Sequence, residues 1–459
     1  MGAEEANGGQ ADRSTGVVHL QLPLNDPGFN LETAVCSHGL FMMAPNRWDP
    51  ASKSLHRPLR LPTSSSSLPV RISHPSPSHP LLLVSVFGAS SLSSQDQHAI
   101  LAQVRRMLRI SDENDRVIRE FHKLHAGAKE RGFGRVFRSP TLFEDMVKCI
   151  LLCNCQWPRT LSMARSLCEL QLELKLRTSH EDFHPKTPEA KELKRRKGKK
   201  KKIMVKLETK LIEDKAESAE GGNSEINHDN QPNNSQGKET PSSTPLCMEE
   251  ISNLCMEETS NKLSTVSTPL HDLSGDTSCP SKQIGDFPSP EDLAMLDVDY
   301  LAMRCKLGYR AQRIVSLAQN IVECKLQLRK LEEACGGFTL SSYAEVDKEL
   351  SGICGFGPFT CANVLMCMGF YHKIPADTET IRHLKKFHAI NSTIHSVKRD
   401  VESIYRKYAP FQFLAYWFEL WDDYENIFGK TSEMLPSDYG LITSTNLKSK
   451  LSKKRKSNS

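Results

Sequence analysis

The most informative part of the sequence is residues 350–384, which read L-S-G-I-C-G-F-G-P-F-T-C-A-N-V-L-M-C-M-G-F-Y-H-K-I-P-A-D-T-E-T-I-R-H-L. Near its beginning two glycines, Gly355 and Gly357, lie on either side of Phe356. Glycine reaches backbone conformations that are closed to other residues, and its missing side chain lets another molecule approach the backbone closely. The pattern therefore indicates a tight backbone turn that is open to contact with a partner molecule.

Segments with the pattern of helices flank this turn, Tyr343–Leu350 before it and Phe359–Met368 after it. The start of the second helix would offer free N–H groups and the positive end of the helix dipole, which together favour a phosphate. We predict that residues 342–370 form a helix–hairpin–helix. Its phosphate-binding backbone would be that of Gly355, Phe356, Gly357, Phe359 and Thr360. The alternative is a plain turn between two helices.

An aspartate follows the hairpin after one apolar helix, in Ile374-Pro-Ala-Asp377-Thr. The hairpin pattern and the separation between Gly355 and Asp377 resemble the helix–hairpin–helix (HhH-GPD) superfamily of DNA glycosylases, which act in base-excision repair. The resemblance implies that Asp377 is catalytic and precedes a helix, here Thr378–Lys385. A carboxylate is ionised at neutral pH and would stabilise the positive charge that develops on the sugar as the N-glycosidic bond breaks. A helix cap is the structural alternative for Asp377, and it is compatible with catalysis.

Other segments are similar to the 3-methyladenine (alkyl-base) and 8-oxoguanine glycosylase branches that have no iron–sulfur cluster. They are Leu307-Gly-Tyr309-Arg-Ala311, Phe137–Asp145 with Asn154-x-Gln156-Trp157, and Pro410-Phe411 with Ala415 and Trp417. The resemblance makes five residues candidates for a base pocket or a wedge into the DNA: Asn154, Gln156, Trp157, Tyr309 and Trp417. Phe356 is a further aromatic that could stack on a base. Packing in the core is the alternative for the aromatics, Trp417 above all, and an ordinary place in a helix is the alternative for Asn154 and Gln156.

One position departs from part of that superfamily. Glycosylases that also cut the strand carry a lysine two residues after the second hairpin glycine, and its amine forms a Schiff base. Phe359 occupies that position here. The resemblance thus implies base removal without an efficient lyase step, although Lys373, four residues before Asp377, is an alternative amine.

The cysteines give no sign of a metal centre. The iron–sulfur branch of the superfamily places four cysteines after its aspartate, whereas the last cysteine of this chain, Cys367, precedes Asp377. Cys149, Cys153 and Cys155 are close in sequence but have no histidine or cysteine partners nearby, so core thiols are the simpler interpretation. We predict no metal and no cofactor.

Composition and periodicity place this motif in a mainly α fold with a small antiparallel β-domain. Alternating apolar residues begin at Val17, and further apolar segments lie at Ala34–Met43, Val70–Ile72 and Leu81–Phe87. Apolar residues at helical spacing follow in residues 143–151, 311–321 and 414–421. No Phe, Trp or Tyr lies between His184 and Asp286, so this stretch would bury too little apolar surface to fold. The predicted organisation is a disordered segment (1–16), the β-domain (17–92), a helical glycosylase domain in two parts (93–171 and 285–429), a disordered charged insert (172–284) and a basic disordered tail (430–459).

The chain has a net charge of +5, and its basic character is concentrated in two runs of lysine and arginine. One contains Lys194–Lys202 and the other Lys453–Lys456, and such runs are typical of nuclear import signals or of nonspecific attraction to phosphate. A solvated linker is the alternative. There is no apolar run long enough for a membrane span and no pattern of a signal peptide. We therefore predict a nuclear protein that has no membrane contact, with an import receptor as a candidate partner. The resemblance to the glycosylase superfamily implies a monomer.

Together these observations predict a monofunctional DNA glycosylase that flips a damaged, purine-type base out of double-stranded DNA, hydrolyses its N-glycosidic bond and leaves an abasic site. Two alternatives stay open. One is a bifunctional glycosylase with abasic-site lyase activity, and the other is a non-catalytic helix–hairpin–helix module that binds DNA damage.

Overall fold

The computed structural model describes residues 16–178 except Ser65 and Pro77, residues 284–334 and 340–443, and Asn446. Both basic runs, Lys194–Lys202 and Lys453–Lys456, lie outside the described residues, as do residues 1–15 and most of the predicted insert.

An antiparallel sheet occupies the N-terminal part of the chain. Its strands are β1 (Val17–Pro23), β2 (Arg47–Asp49), β3 (Ser54–Arg60), β4 (Ser67–Ser73) and β5 (Leu81–Phe87), in the order β1-β5-β4-β3-β2. The alternation predicted from Val17 onward is confirmed, because Leu20 and Leu22 are buried while His19 and Gln21 are exposed. This sheet packs its apolar face into the common hydrophobic core.

Helices form the rest of the described chain. They are α1 (Leu31–Val35), α2 (Ser94–Leu108), α3 (Asp112–Leu124), α4 (Ala126–Glu130), α5 (Leu142–Leu152), α6 (Trp157–Thr178), α7 (Pro290–Ala294), α8 (Val298–Arg304), α9 (Arg310–Val322), α10 (Leu328–Ala334), α11 (Leu340–Ser351), α12 (Pro358–Met368), α13 (Thr378–His388), α14 (Val397–Tyr405) and α15 (Gln412–Phe428). Short 3₁₀ turns occupy Gly39–Met42, Arg406–Tyr408, Thr431–Glu433 and Pro436–Leu441. None of the described helices is long and apolar enough to cross a membrane. The predicted class, mainly α with a small N-terminal antiparallel sheet, is confirmed.

Helix α5 lies at the centre of the helical body, in contact with α6, α9 and α12. Thr141 is its N-cap residue, and the Thr141 hydroxyl accepts a hydrogen bond from the Glu144 N–H at 3.2 Å. Every residue from Leu142 to Leu151 is buried, including three charged ones. Burial of this helix therefore extends beyond the single apolar face that its spacing in the sequence indicated.

Buried ion pairs tie the sheet to the helices. Arg57 on β3 binds Glu144 of α5 at 3.0 Å and approaches Asp286, in the segment before α7, at 3.5 Å. Lys148 reaches Glu144 at 2.7 Å. Removing one member of such a buried network leaves another charge unpaired, at a cost of about 3–5 kcal/mol. The network therefore joins the parts of the chain before and after the insert.

Three details differ from the sequence predictions. Ala34–Met43 is not a strand, because Asn30 caps α1 and the chain then turns through Gly39–Met42. The insert was predicted to start at residue 172, but α6 continues to Thr178. Residues 430–443, predicted to be part of a disordered tail, pack on the body, where the Trp48 indole N–H donates to the Ser432 carbonyl at 2.9 Å.

Candidate active site

The predicted helix–hairpin–helix is present as α11, a turn at residues 352–357, and α12. Gly357 is the N-cap residue of α12, and having no side chain it supplies no capping hydrogen bond. Pro358 has no N–H, and the N–H groups of Phe359 and Thr360 lie in the first turn, where a helix provides no acceptor. The hairpin therefore ends in unsatisfied backbone donors at the positive end of an 11-residue helix.

Glycine is required at one hairpin position. Gly355 has a φ of +84°, and a Cβ placed there would lie 2.5 Å from Cδ of Arg313. By contrast, a Cβ at Gly357 would meet nothing within 4 Å. The hairpin backbone is thus packed against Arg313 of α9 at Gly355 and open at Gly357.

Two predicted hairpin side chains face the interior. Phe356 is 7% exposed and belongs to the hydrophobic core, so it does not stack on a base as one prediction allowed. Thr360 is 1% exposed, and its hydroxyl lies 3.0 Å from Sγ of Cys153. Only the backbone of these two residues remains available to a phosphate.

Asp377 is the N-cap residue of α13. Its Oδ1 accepts hydrogen bonds from the Thr380 N–H at 2.9 Å and from the Thr380 hydroxyl at 3.1 Å. The Thr380 hydroxyl is also 3.0 Å from the hydroxyl of Tyr416, on α15. The capping bonds fix the carboxyl group through Oδ1, which leaves Oδ2 for an occupant of the neighbouring cavity.

The surroundings of Asp377 disfavour the ionised form of its carboxyl group. Burial raises the pKa of Asp377 above its ordinary value of 3.8, and the negative charge of Glu379 raises it further, against the hydrogen bonds from Thr380 and Glu379. Asp377 therefore differs from the ordinary solvated carboxylate that the sequence led us to expect. Because the charged form is poorly solvated, it gains more from a nearby positive charge than an exposed carboxylate would.

A cavity of about 440 Å³ opens beside Asp377. Its aromatic lining residues are Trp157, Phe359, Tyr416, Trp417, Trp421 and Tyr424, and its polar lining residues include His38, Gln156, Asn363, Asp377 and Glu379. The structure therefore brings together four sequence-predicted residues, Gln156, Trp157, Phe359 and Trp417, around Asp377. Phe359 connects the two parts of the site, since its N–H belongs to the hairpin and its ring lines the cavity.

Trp417 lines this cavity and is partly buried against the hydrophobic core. Its ring stacks between Phe413 and Trp421, with centroid separations of 5.8 and 5.6 Å. Its indole N–H donates to the Ser37 carbonyl at 2.9 Å, and His38 lies against it at 4.4 Å. The ring is thus held flat and rigid at the edge of the cavity.

Trp157 begins α6 and is fixed from two directions. Its indole N–H donates to the Tyr439 carbonyl at 3.0 Å, and a Cβ at Gly39 would lie only 3.2 Å from its ring. Gly39 therefore provides the space that the ring occupies. Gln156, the preceding residue, lines the cavity and is exposed to solvent.

Two predicted pocket residues lie outside the cavity. Asn154 is exposed in a left-handed backbone conformation, with a φ of 45°, and its carbonyl accepts a hydrogen bond from Arg310 at 3.0 Å. Tyr309 is 48% exposed, and its hydroxyl lies 3.4 Å from the Cys153 carbonyl. The guanidinium groups of Arg310 and Arg313 each lie 4.7 Å from the Tyr309 ring centroid. Asn154 and Tyr309 thus form an exposed rim beside the hairpin.

Lysine is absent from the described residues that line the cavity. Lys373, the alternative amine, is paired with Asp347, and its amino group lies 5.9 Å from the Tyr343 ring centroid. Its side chain is directed to α11 and does not line the cavity. At position 359, two residues after the second hairpin glycine, the side chain that lines the cavity is a phenylalanine and not a lysine.

Sequence reasoning missed His38, Glu379 and Asn363. Burial, together with the charge of Arg109, lowers the pKa of His38 to about 3, so its imidazole is neutral. Nδ1 of His38 accepts a hydrogen bond from the Leu40 N–H at 3.3 Å, which places the single ring proton on Nε2. A neutral donor therefore stands at the cavity wall. No sequence signal identified it, because His38 and Asp377 are 339 positions apart.

Neither a protein-family model nor a curated protein matches the sequence. Among solved structures, the chain is similar to the 3-methyladenine DNA-glycosylase from Archaeoglobus fulgidus (TM-score 0.49, 14% identity, 89% of this chain and 99% of that chain covered). It is also similar to MBOgg1 in complex with a low affinity DNA ligand (TM-score 0.47, 13% identity, 89% and 98% covered). A third similar structure is the Clostridium acetobutylicum 8-oxoguanine glycosylase/lyase in complex with double-stranded DNA containing cytosine opposite 8-oxoG (TM-score 0.46, 11% identity, 88% and 94% covered).

Proposed function

We propose that the protein is a monofunctional DNA glycosylase that hydrolyses the N-glycosidic bond of a damaged purine in double-stranded DNA and leaves an abasic site. One observation carries the proposal. Asp377 lines an aromatic cavity, and Phe359 of the same cavity contributes its N–H to the open hairpin. A phosphate on the hairpin would therefore place a flipped nucleotide next to a carboxylate.

The cavity suits a flat, flipped-out base. Its volume of about 440 Å³ lies within the range of roughly 300–1,000 Å³ that is usual for small-ligand pockets. Trp417 and Trp157 offer rigid rings for stacking. Electron-rich rings beside the carboxylates of Asp377 and Glu379 attract positive charge, so we favour a purine made cationic by alkylation over an uncharged lesion. The neutral His38 would donate from Nε2 to an acceptor on the base edge.

The chemistry assigned to Asp377 is electrostatic and hydrolytic. As the bond between C1′ and the base nitrogen breaks, the electron pair leaves with the base and positive charge develops on the sugar. A carboxylate at ~4 Å in a medium with an effective dielectric constant of ~20 stabilises that charge by about 4 kcal/mol. Water then adds to C1′, and Asp377 orients it and accepts its proton.

The hairpin and its rim are assigned to the DNA backbone. The N–H groups of Phe359 and Thr360 would bind one phosphate near the lesion, since contacts of this kind fix position without reading sequence. Tyr309 and Asn154, on the exposed rim, would fill the gap in the duplex that the flipped nucleotide leaves. Of the two roles predicted for Tyr309 and Asn154, base pocket or wedge into the DNA, we therefore propose the wedge.

The absence of a lysine along the described cavity supports hydrolysis over lyase chemistry. Lyase action needs an amine that attacks C1′, and Lys373 is held in an ion pair with Asp347. A bifunctional enzyme would therefore have to recruit an amine from elsewhere.

We also propose that the protein is a nuclear monomer, with Lys194–Lys202 or Lys453–Lys456 recognised by an import receptor. Replacing the lysines and arginines of each run by glutamine, singly and together, in a fluorescent fusion tests this. Nuclear accumulation that persists in the doubly substituted protein would contradict the role of both runs. Sedimentation velocity of the full chain checks the monomer.

A panel of duplexes tests the activity. The full-length protein is incubated with DNA carrying 3-methyladenine, hypoxanthine, 8-oxoguanine or uracil, and each product is analysed with and without hot alkali. Strand cleavage only after alkali on a purine-lesion duplex is the expected result. Cleavage without alkali would support the bifunctional alternative, and no cleavage with tight binding of damaged DNA would support the non-catalytic module.

A further inference from the structure

Four polar side chains converge where the C-terminal part of α13 meets α14 and α15. Nε2 of His383 and Nε2 of His388 lie 3.2 and 3.1 Å from Oε2 of Glu419. The Tyr405 hydroxyl lies 3.0 and 3.1 Å from the same two nitrogens and 2.5 Å from Oε2 of Glu419. This cluster, His383, His388, Tyr405 and Glu419, is away from the cavity that Asp377 lines.

Hydrogen bonding alone accounts poorly for the cluster. Its five contacts share at most three protons, one on each Nε2 and one on the Tyr405 oxygen. Several groups thus compete for a single carboxylate oxygen.

The nitrogen–oxygen distances match those of a tetrahedral metal site. Zinc binds imidazole nitrogen and carboxylate oxygen at about 2.0–2.2 Å, which separates neighbouring ligand atoms by about 3.3 Å. The two nitrogen–oxygen distances in the cluster are 3.1 and 3.2 Å, and the ligand atoms of His383, His388 and Glu419 all lie within 4.8 Å of one another. The 2.5 Å contact between the Tyr405 hydroxyl and Oε2 of Glu419 would have to open by about 0.8 Å for both oxygens to bind one ion.

We propose that His383, His388 and Glu419 bind one Zn²⁺ ion, with the Tyr405 hydroxyl at the fourth corner. Two imidazoles and one carboxylate favour zinc over magnesium or calcium, which take oxygen ligands. On binding, each imidazole coordinates through Nε2 and carries its proton on Nδ1. The side chains of His388 and Glu419 are 24% and 25% exposed, which gives the ion a path from solvent.

The ion would stabilise the helix that carries Asp377. The metal-binding residues lie on α13 and α15, and α13 begins directly after Asp377. Tyr416 packs edge-on against His383 at 5.3 Å, and its hydroxyl contacts Thr380, which binds Asp377. Metal binding requires no glycosylase activity, so this inference stands or falls separately from the proposed function.

Cysteine spacing, on which the prediction of no metal was based, carries no information about this cluster, because no cysteine belongs to it. His383 and Glu419 are 36 positions apart, and neither forms a ligand motif with its sequence neighbours. Their atoms come together only because α13 and α15 meet in the fold.

The test uses the full-length protein, stripped with EDTA and dialysed. Zinc content after reconstitution is measured by mass spectrometry of the metal, affinity is measured against a chelating dye, and melting temperature is measured with and without zinc. The variants are His388→Ala and Glu419→Gln, and the matched control is His395→Ala, an exposed histidine in the loop before α14. Cobalt substitution, read by visible absorption of a four-coordinate site, reports on the wild-type protein alone and requires no variant to fold.

We expect one equivalent of zinc that raises the melting temperature of the wild type and of His395→Ala. His388→Ala and Glu419→Gln should each bind zinc at least about 100-fold more weakly, since even second-shell changes at zinc sites cost about 10–100-fold. Wild-type protein that takes up no stoichiometric zinc and shows no four-coordinate cobalt spectrum would overturn the proposal. So would zinc binding that His388→Ala leaves unchanged.

Discussion

Substitution of Asp377 by asparagine separates catalysis from structure at the proposed active site. Asparagine caps a helix as well as aspartate does, so the bond from Oδ1 to the Thr380 N–H, 2.9 Å long in the structure, should persist. The substitution removes the negative charge and replaces one carboxylate oxygen by an amide NH2 group. The partly buried position of Asp377 means that bulk water screens this charge weakly.

The expected loss follows from Coulomb's law. At ~4 Å and an effective dielectric constant of ~20, the carboxylate stabilises the developing sugar cation by about 4 kcal/mol. Removing it should slow base release about 1,000-fold. The loss of proton acceptance from water would add to this figure.

The assay is single-turnover base release with protein in excess over the lesion duplex, and binding to the same duplex is measured by fluorescence anisotropy. Asp297→Asn is the matched control, because Asp297 is also a helix N-cap aspartate, accepting from the Tyr300 N–H at 2.8 Å, and does not line the cavity. We expect the control to retain the wild-type rate and both variants to bind DNA. A rate for Asp377→Asn within about 10-fold of wild type, or an equal loss of rate and binding, would refute the reasoning.

Three further predictions follow from the same geometry. Because burial raises the pKa of Asp377, base release should decline as the pH falls through a value above 3.8. At neutral pH the folded wild type bears the free-energy cost of the buried charge, so Asp377→Asn should melt at an equal or higher temperature than the wild type. This difference in melting temperature should shrink at pH values below the ordinary pKa of aspartate. A melting temperature that is lower for the variant at neutral pH would contradict this sign. Phe359→Lys should form an adduct with abasic DNA that borohydride traps, whereas wild type and Phe359→Leu should not; trapping of wild type would show an unrecognised amine. Gly357→Ala should keep the wild-type melting temperature, since its Cβ meets nothing within 4 Å. It should lose about 10-fold or more in DNA affinity, because the added methyl group would hinder a phosphate at the hairpin N–H groups and a charge-assisted hydrogen bond contributes about 1.5–3 kcal/mol. Gly440→Ala is the control, and equal DNA affinities of the two variants would exclude the hairpin as the phosphate site.

Local patterns were the part of the molecule that the sequence could predict. The hairpin glycines and the apolar spacing of α5 depend on neighbours within a few positions, and the turn and the helix predicted from them are present in the structure. The prediction for Ala34–Met43 was wrong because its local pattern is ambiguous. Its apolar composition suits a strand or a buried helix equally, and the cap at Asn30 decides for a helix.

Contacts between residues that are distant in the sequence could not be predicted from the sequence. Tyr309 and Trp417 were both candidates for stacking, and core packing was the stronger alternative for Trp417. Of the two, only Trp417 lines the cavity, where Phe413 and Trp421 stack on its ring. His38 reaches the cavity from the N-terminal part of the chain. The charge state of Asp377 also depended on burial and on Glu379, which spacing does not reveal.

The most direct test of the proposed activity is mass spectrometry of both products from one lesion duplex. The account predicts the free damaged purine together with a strand of full length that carries an intact abasic site. A strand that is already cleaved at the lesion, or a lesion strand that stays unchanged while the protein binds it tightly, would contradict hydrolytic base removal.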